Sequence, residues 1–213
     1  GNMGSGSSQM GFTSLSGTFI ENTTSYSIVL STGATYSPRI FSADWAKAAS
    51  FKIEVELTDD TTAVSQGTNA VTIGTNGYAH NAGVFTGGGG TMDINGNFTL
   101  TAGTFVSTTN TLSLAMNFTY NGGVFTNNGG TVVFDGTGAV NGASVANFNH
   151  VTIGNTLTAP AGAMNVAGAF VNNGTFIHNS GTVVFNGATA ISGSGTSSFC
   201  NVTISGALTA PAG

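Results

Sequence analysis

Charge is what this sequence most lacks. Only 5% of its 213 residues are charged, against about 25% in an average globular domain. The basic residues are limited to Arg39, Lys47 and Lys52, and the formal net charge is −5. A protein that binds nucleic acid needs a basic surface to neutralise phosphates. The composition therefore excludes nucleic acid as a partner.

Cysteine and long apolar runs are also scarce. Cys200 is alone in the sequence, so an intrachain disulfide is excluded, and we expect this thiol to pack as a small buried hydrophobe. No apolar run reaches the length of a membrane-spanning helix, which predicts no membrane-spanning segment. The polar, Gly/Ser-rich first residues have no signal-peptide pattern.

Glycine, small polar residues and aromatics are abundant instead. The chain has 33 Gly and 15 Phe, and 40% of its residues are hydrophobic. Disordered chains are poor in aromatics, so this composition predicts a folded, β-rich protein with a neutral polar surface. Low charge combined with abundant Thr, Ser, Asn and Gly is typical of secreted and surface proteins. We therefore expect an extracellular or cell-surface location.

Charge divides the chain near residue 75. All three basic residues and six of the eight acids precede residue 61. The segment "FKIEVELT" alternates apolar and polar residues and predicts a half-buried strand, while "SADWAKAAS" predicts one helical turn. We interpret residues 1–75 as a β-sandwich-like or capping region and residues 76–213 as a second, repetitive region. The stretch "YSPRIFSADWAKAASFKIEVEL" resembles jelly-roll-like modules of large bacterial surface proteins.

From residue 81 the sequence repeats in rows of twenty. "NAGVFTGGGGTMDINGNFTL" aligns with "TAGTFVSTTNTLSLAMNFTY" and then with "NGGVFTNNGGTVVFDGTGAV". This alignment places Phe85, Phe105 and Phe125 in one column and Gly83 and its two counterparts in another. A unit this short cannot enclose its own core and must stack on its neighbours, as in a solenoid.

A longer repeat follows. "TVVF" at 131–134 returns at 182–185, and "LTAPAG" at 157–162 returns at 208–213, each after 51 residues. An immunoglobulin-like sandwich needs about 100 residues, so we predict an all-β parallel β-solenoid (β-helix) with coils of about 17–20 residues. We expect the later coils to have about 17 residues, three to a repeat, so that each repeat uses the same wall.

These residues carry a family resemblance. The segment "FNHVTIGNTLTAPAGAMNVAGAFVNNGTFIHNSGTVVFNGATAISG" (148–193) is similar to the repeats of very large bacterial surface and adhesin-like proteins. The resemblance implies an extracellular stalk or fibre without a catalytic activity. Because "LTAPAG" stops within a repeat, we expect the natural polypeptide to continue beyond it.

Catalytic and metal-binding groups are few. Polysaccharide-cleaving β-helix enzymes need clustered carboxylates, whereas residues 61–213 contain only Asp93 and Asp135 and no Lys or Arg. His80, His150 and His178 are expected to be polar members of ladders, since His178 aligns with Asn127 and His150 with Asn201. We predict that the protein is not an enzyme and has no catalytic site, metal site or cofactor.

The sequence predicts structural residues and two kinds of surface site. Core ladder positions are Phe85, Phe105, Phe125, Phe134, Phe176 and Phe185. Candidate sugar-stacking residues are Trp45, Tyr26 and Tyr36. Possible glycosylation sites are Asn22, Asn97, Asn117, Asn173 and Asn201.

The function predicted from these features is a structural stalk or fibre segment of a cell-surface adhesin or filament. Its partners would be other copies of itself or neighbouring repeats. The alternatives are a carbohydrate-binding module, whose partners would be cell-surface glycans, and a self-assembling filament subunit.

Overall fold

The structure is a computed structural model. It describes residues 63–210 and, before them, the backbone of four strands that pair as two antiparallel couples. These strands are β1 (Leu15–Glu21), β2 (Thr24–Leu30), β3 (Tyr36–Phe41) and β4 (Lys52–Leu57). The helical turn predicted at residues 42–50 lies outside the described residues.

From Ala63 onward the chain forms a parallel β-solenoid of about seven coils, as the repeats predict. Each complete coil contributes one short strand to each of three walls. The strands of the first wall are β5 (Ala63–Ser65), β8 (Val84–Thr86), β11 (Thr104–Val106), β14 (Val124–Thr126), β17 (Ala146–Phe148), β20 (Ala163–Val166), β23 (Thr182–Phe185) and β25 (Asn201–Ile204). This wall consists of two hydrogen-bonded sheets, one ending at β14 and the other starting at β17.

The second and third walls have the remaining strands. Those of the second wall are β6 (Val71–Ile73), β9 (Met92–Ile94), β12 (Thr111–Leu114), β15 (Thr131–Phe134), β18 (His150–Ile153), β21 (Phe170–Asn172), β24 (Thr189–Ser192) and β26 (Leu208–Thr209). Those of the third wall are β7 (Tyr78–His80), β10 (Phe98–Leu100), β13 (Phe118–Tyr120), β16 (Thr137–Asn141), β19 (Thr156–Thr158) and β22 (Thr175–Ile177). β5 pairs in parallel with β8, and β6 pairs in parallel with β9, so the parallel coils start at Ala63.

Strand register gives the length of each coil. In the second wall Met92 pairs with Leu112, which pairs with Val132 twenty residues later. Val132 pairs with Val151, and Val151 with Phe170, both after nineteen residues. The expectation of 17-residue coils in the later part is therefore wrong.

The 51-residue repeat does not return to the same wall. Thr131–Phe134 lies in the second wall and Thr182–Phe185 in the first, eight strands later. Three strands make a coil, so one repeat covers two and two-thirds coils. The expectation that each repeat uses the same wall is wrong, because 51 residues fall short of three coils of nineteen.

The core is filled by alternating inward side chains. In β9, β12, β15 and β18 every second residue is buried and its neighbours are partly exposed, the pattern that a pleated strand requires. Phe85, Phe105 and Phe125 pair in register and are 5%, 0% and 7% exposed, as the twenty-residue alignment predicts. Phe134, Phe176 and Phe185 are also buried, but they point inward from the second, third and first walls respectively.

Glycines with positive φ form one column at the turn before the first wall. Gly83, Gly103 and Gly123 have φ values of 69°, 75° and 74°. This region is sterically unfavourable for a residue with a Cβ. A Cβ on Gly103 would also lie 2.5 Å from the Gly83 carbonyl oxygen. The column therefore depends on glycine both for its backbone conformation and for the close approach of successive coils.

The solenoid is continued antiparallel at its N-terminal end. β2 pairs with β5 through Val29–Ser65 and Leu30–Val64, and β1 pairs with β2. The first wall therefore has its N-terminal edge occupied by an antiparallel hairpin. Such pairing removes one exposed edge to which another chain could add.

Candidate functional site

Hydrogen-bonded ladders of neutral side chains cover parts of the outer walls. Asn165 Nδ2 donates to Asn147 Oδ1 at 2.6 Å, and Asn117 Nδ2 donates to Asn97 Oδ1 at 3.1 Å. Each pair joins two neighbouring coils. Stacked charges of one sign would repel at this spacing, whereas amides donate to one another. The scarcity of charge is thus compatible with the stacking of coils.

The first wall presents a mixed apolar and hydroxyl surface. Its outward residues in one column are Val84, Thr104 and Val124, and in the next column Thr86, Val106 and Thr126. Val84 and Val124 are 41% and 52% exposed. Single exposed valines are ordinary on protein surfaces, and these are separated from each other by Thr104.

The two carboxylates of the solenoid lie on the outer face of the second wall. Asp93 pairs in register with Ser113, and Ser113 with Val133, which precedes the exposed Asp135 by two residues. Asp93 therefore lies in β9, and Asp135 directly follows β15, the strand two coils further on and about 10 Å away at the usual strand spacing. Partial desolvation of its carboxyl group, and then the charge of Asp93, raise the pKa of Asp135.

Residues 63–210, the continuous part of the chain that the structure describes, contain no Lys or Arg beside these carboxylates. Asp93 Oδ2 accepts a hydrogen bond from Asn95 Nδ2 at 3.3 Å.

His80 lies in the interior, in a column with Leu100 and Tyr120, which corrects the expectation that it is a polar member of a ladder. Its side chain is 3% exposed, and its Nδ1 is 3.1 Å from the Tyr78 hydroxyl. Its Nε2 has no hydrogen-bond partner among the described residues. Burial lowers the pKa of His80, with neighbouring backbone groups of Gly83 and Thr104 acting in the opposite direction, and burial raises the pKa of Tyr78.

The row alignment contains the signal that would have placed His80. It falls in one column with Leu100 and Tyr120, both of which are buried. A histidine aligned with such residues faces the core, so the position in the coil predicts its burial better than the polarity of the side chain does.

His178 has the same local role as Asn127, its counterpart in the 51-residue repeat. His178 Nδ1 accepts from the Ser180 N–H at 3.0 Å, and Asn127 Oδ1 accepts from the Gly129 N–H at 3.0 Å. Both side chains thus accept a hydrogen bond from a backbone N–H of the turn that precedes a strand. His150 Nδ1 instead accepts from the Ala169 N–H of the next coil at 2.8 Å.

Cys200 is exposed, so the expectation of a buried cysteine is wrong. It precedes β25, and its repeat counterpart Asn149 is partly exposed. The repeat alignment therefore indicated its position better than the general behaviour of the residue type.

The predicted sugar-stacking residues remain predictions. Trp45 lies outside the described residues, and of Tyr26 and Tyr36 only the backbone is described, in β2 and β3. Among the predicted sequons, Asn22 is also outside, Asn97 and Asn117 are adjacent in one ladder, and Asn173 and Asn201 are exposed.

The described residues have neither a cluster of three or more His, Cys, Asp or Glu side chains suited to a metal ion nor a helix that could cross a membrane. The chain matches no protein-family model, no curated protein and no solved structure.

Proposed function

We propose that this chain is a structural protein of the cell exterior, in which the solenoid is a stalk or fibre segment. The observation that carries the proposal is the continuity of the second wall, in which eight strands are hydrogen-bonded in one parallel sheet. Seven strand spacings of about 4.8 Å give a length of about 34 Å. A rod of this kind holds whatever is attached to its ends at a fixed separation.

The packing of the core supports the same proposal. Fully buried phenylalanines come from all three walls, among them Phe105, Phe134 and Phe118. Close-packed interiors of this kind have low compressibility and transmit strain. The coils therefore resist bending relative to one another, which a flexible linker of similar length does not.

The shape can be measured with spin labels at Thr72→Cys and Thr209→Cys in a Cys200→Ser background. Both threonines are exposed on the second wall, on its first and last strands. A rigid rod gives one narrow distance distribution near 34 Å, whereas a flexible chain between these positions gives a broad one around 65 Å. A broad distribution would contradict the proposed stalk.

The location of the protein and its expected lack of enzymatic activity need separate tests. Antibodies against the solenoid should label intact, unpermeabilised cells of the organism that makes the protein. Incubation with plant and microbial polysaccharides should release no sugars. Release that is abolished by Asp93→Asn or Asp135→Asn would replace the structural role with an enzymatic one.

A further inference from the structure

The hydrogen-bonded ladder of the first wall is broken in the middle of the solenoid. β14 (Val124–Thr126) pairs with β11, and β17 (Ala146–Phe148) pairs with β20, but these two strands do not pair with each other. At the same level the second wall is intact, because β15 and β18 pair through four consecutive residues. The break therefore affects one side of the rod.

The third wall is also irregular at this level. β16 pairs with β19 through its first three residues and with β13 through Val140 and Asn141. Each residue of β16 thus pairs on one side at most. In β10, by contrast, all three residues pair with both neighbouring strands. The ladder of the third wall is consequently stepped at the level where that of the first wall is broken.

The break coincides with a change in the inward pattern of the strands. In the first wall β14 has one buried residue, Phe125, whereas β17 has two, Ala146 and Phe148. In the third wall the change is the reverse, from two buried residues in β13 to one in β19. In the second wall β15 and β18 both have two. Of the three walls, the second therefore continues across this level with its pattern unchanged.

Other contacts replace the backbone ladder across the break. Asn127 Nδ2 donates to the Asn147 carbonyl at 3.2 Å, which is a side-chain bond where neighbouring strands of this wall have backbone pairing. The stack of parallel rings also ends here. Phe105 and Phe125 are 5° from parallel, whereas Phe125 meets Phe148 edge-on at 72°. The two halves of the first wall are thus held together differently from the coils within each half.

We infer that residues 124–148 form a joint at which the rod bends. The coils before and after the joint tilt relative to each other, with β15 and β18 as the fixed side and the first wall as the side that opens. A rod bends most easily where the backbone bonds that resist tilting are missing from one side, and a few residues between rigid parts suffice as a hinge. The inference rests on the proposed rod and deepens it, because it gives the stalk one direction in which attached modules can move.

Two pairs of spin labels in a Cys200→Ser background measure the bending. Thr86→Cys with Val184→Cys lies on the outer face of the first wall, from β8 to β23. Thr72→Cys with Val171→Cys lies on the outer face of the second wall, from β6 to β21. Each pair spans the joint over about 24 Å, the length of roughly five strand spacings. We expect the distance distribution of the first-wall pair to be at least about twice as wide as that of the second-wall pair.

Two amide variants localise the effect. Asn127→Asp keeps the oxygen that accepts from the Gly129 N–H but loses the donor to Asn147, and should widen the first-wall distribution further. Asn165→Asp is the matched control. It loses a donor to Asn147 Oδ1 in a part of the same wall where the backbone is paired, and should leave the distribution unchanged.

The outcomes separate the joint from the rod. Narrow distributions of equal width for the two label pairs would overturn the joint and leave the rod standing. Broad distributions for both pairs would overturn the rod and with it the joint. Equal responses to Asn127→Asp and Asn165→Asp would also overturn the joint, since the missing ladder would then have no mechanical effect.

Discussion

The rings of Phe85 and Phe105 stack with their centroids 4.8 Å apart and their planes 8° from parallel. The separation equals the spacing of neighbouring strands, so the stack follows from placing the same residue at the same position of successive coils. Phe125 continues it at 6.0 Å and 5°. Phe105, in the middle, also contacts Phe98, Tyr78 and His80.

Replacing Phe105 with Ala should lower the free energy of unfolding by about 3–5 kcal/mol. The loss combines the transfer energy of the ring with a cavity that the coils on either side cannot close. Urea denaturation measures it as a lower midpoint with an unchanged slope. The control Thr111→Ala, on the outer face of β12, should cost less than about 0.5 kcal/mol.

Phe105→Asp should be more destabilising than Phe105→Ala, because it also buries an unpaired charge. Equal stability of the two variants would mean that water reaches this position.

Gly103→Ala should lower the free energy of unfolding by about 2 kcal/mol or more, since alanine is strained at a φ of 75° and its Cβ meets the Gly83 carbonyl oxygen. Gly162 is the matched control: its φ is not positive, and no atom lies within 4 Å of a Cβ added there. Gly162→Ala should be neutral or stabilise by up to about 1 kcal/mol. Thermal unfolding of both variants makes the comparison, and equal effects would contradict the close approach of the coils.

Acid should destabilise the protein through His80. Its pKa is lower in the folded than in the unfolded chain, so the unfolded chain takes up the proton first as pH falls. The contribution of His80 to the free energy of unfolding is complete above about pH 6.5, the pKa of a histidine in the unfolded chain. It is lost as pH falls from there toward the folded pKa, with a slope of at most about 1.4 kcal/mol per pH unit for one proton.

Urea denaturation between pH 7.5 and 5.5 measures this loss. His80→Leu places in this column the residue that the next coil has, Leu100, and should flatten the pH dependence. His178→Asn, which restores the residue of the other repeat copy, should keep it. An unchanged pH dependence in His80→Leu would assign the acid sensitivity to other groups.

Asp135→Asn should stabilise the protein slightly at neutral pH. Because the pKa of Asp135 is raised in the folded state, its ionised form disfavours folding, and the wild type regains stability as pH falls through the folded pKa toward the unfolded one. The group is exposed, so we expect a gain under about 0.5 kcal/mol, and added salt should reduce it. Asp93→Asn should give part of the same gain, because it removes the negative charge that is the second cause of the raised pKa of Asp135. A difference that persists at pH 3 would contradict this origin.

Much of the fold was predictable because key residues recur at a constant spacing. Twenty-residue rows gave the Phe85 column and the glycine corners, since any residue that recurs at the coil period must recur at one place. The order of walls in the 51-residue part was not predictable in the same way. One repeat covers eight strands, which is not a whole number of three-strand coils, so the wall changes from one copy to the next. The loop at 193–200 contains no strand, so one strand position of the repeat cannot be recognised there.

The surface features were harder to predict. Cys200 and His80 were placed by their usual chemical behaviour, and both are found opposite to expectation, at the surface and in the core. Their partners in the alignment, the partly exposed Asn149 and the buried Leu100, indicate the environments better. In a stacked fold, the position within the coil decides burial before the chemistry of a single side chain does.

The step of two and two-thirds coils has a consequence for anything that approaches the rod from outside. Thr152 faces outward from the second wall, and its repeat counterpart Thr203 faces outward from the first. An antibody or receptor that recognises one copy of such a group therefore comes from a different side than one that recognises the other. Two such molecules can bind neighbouring repeats at the same time without colliding, because they approach different walls.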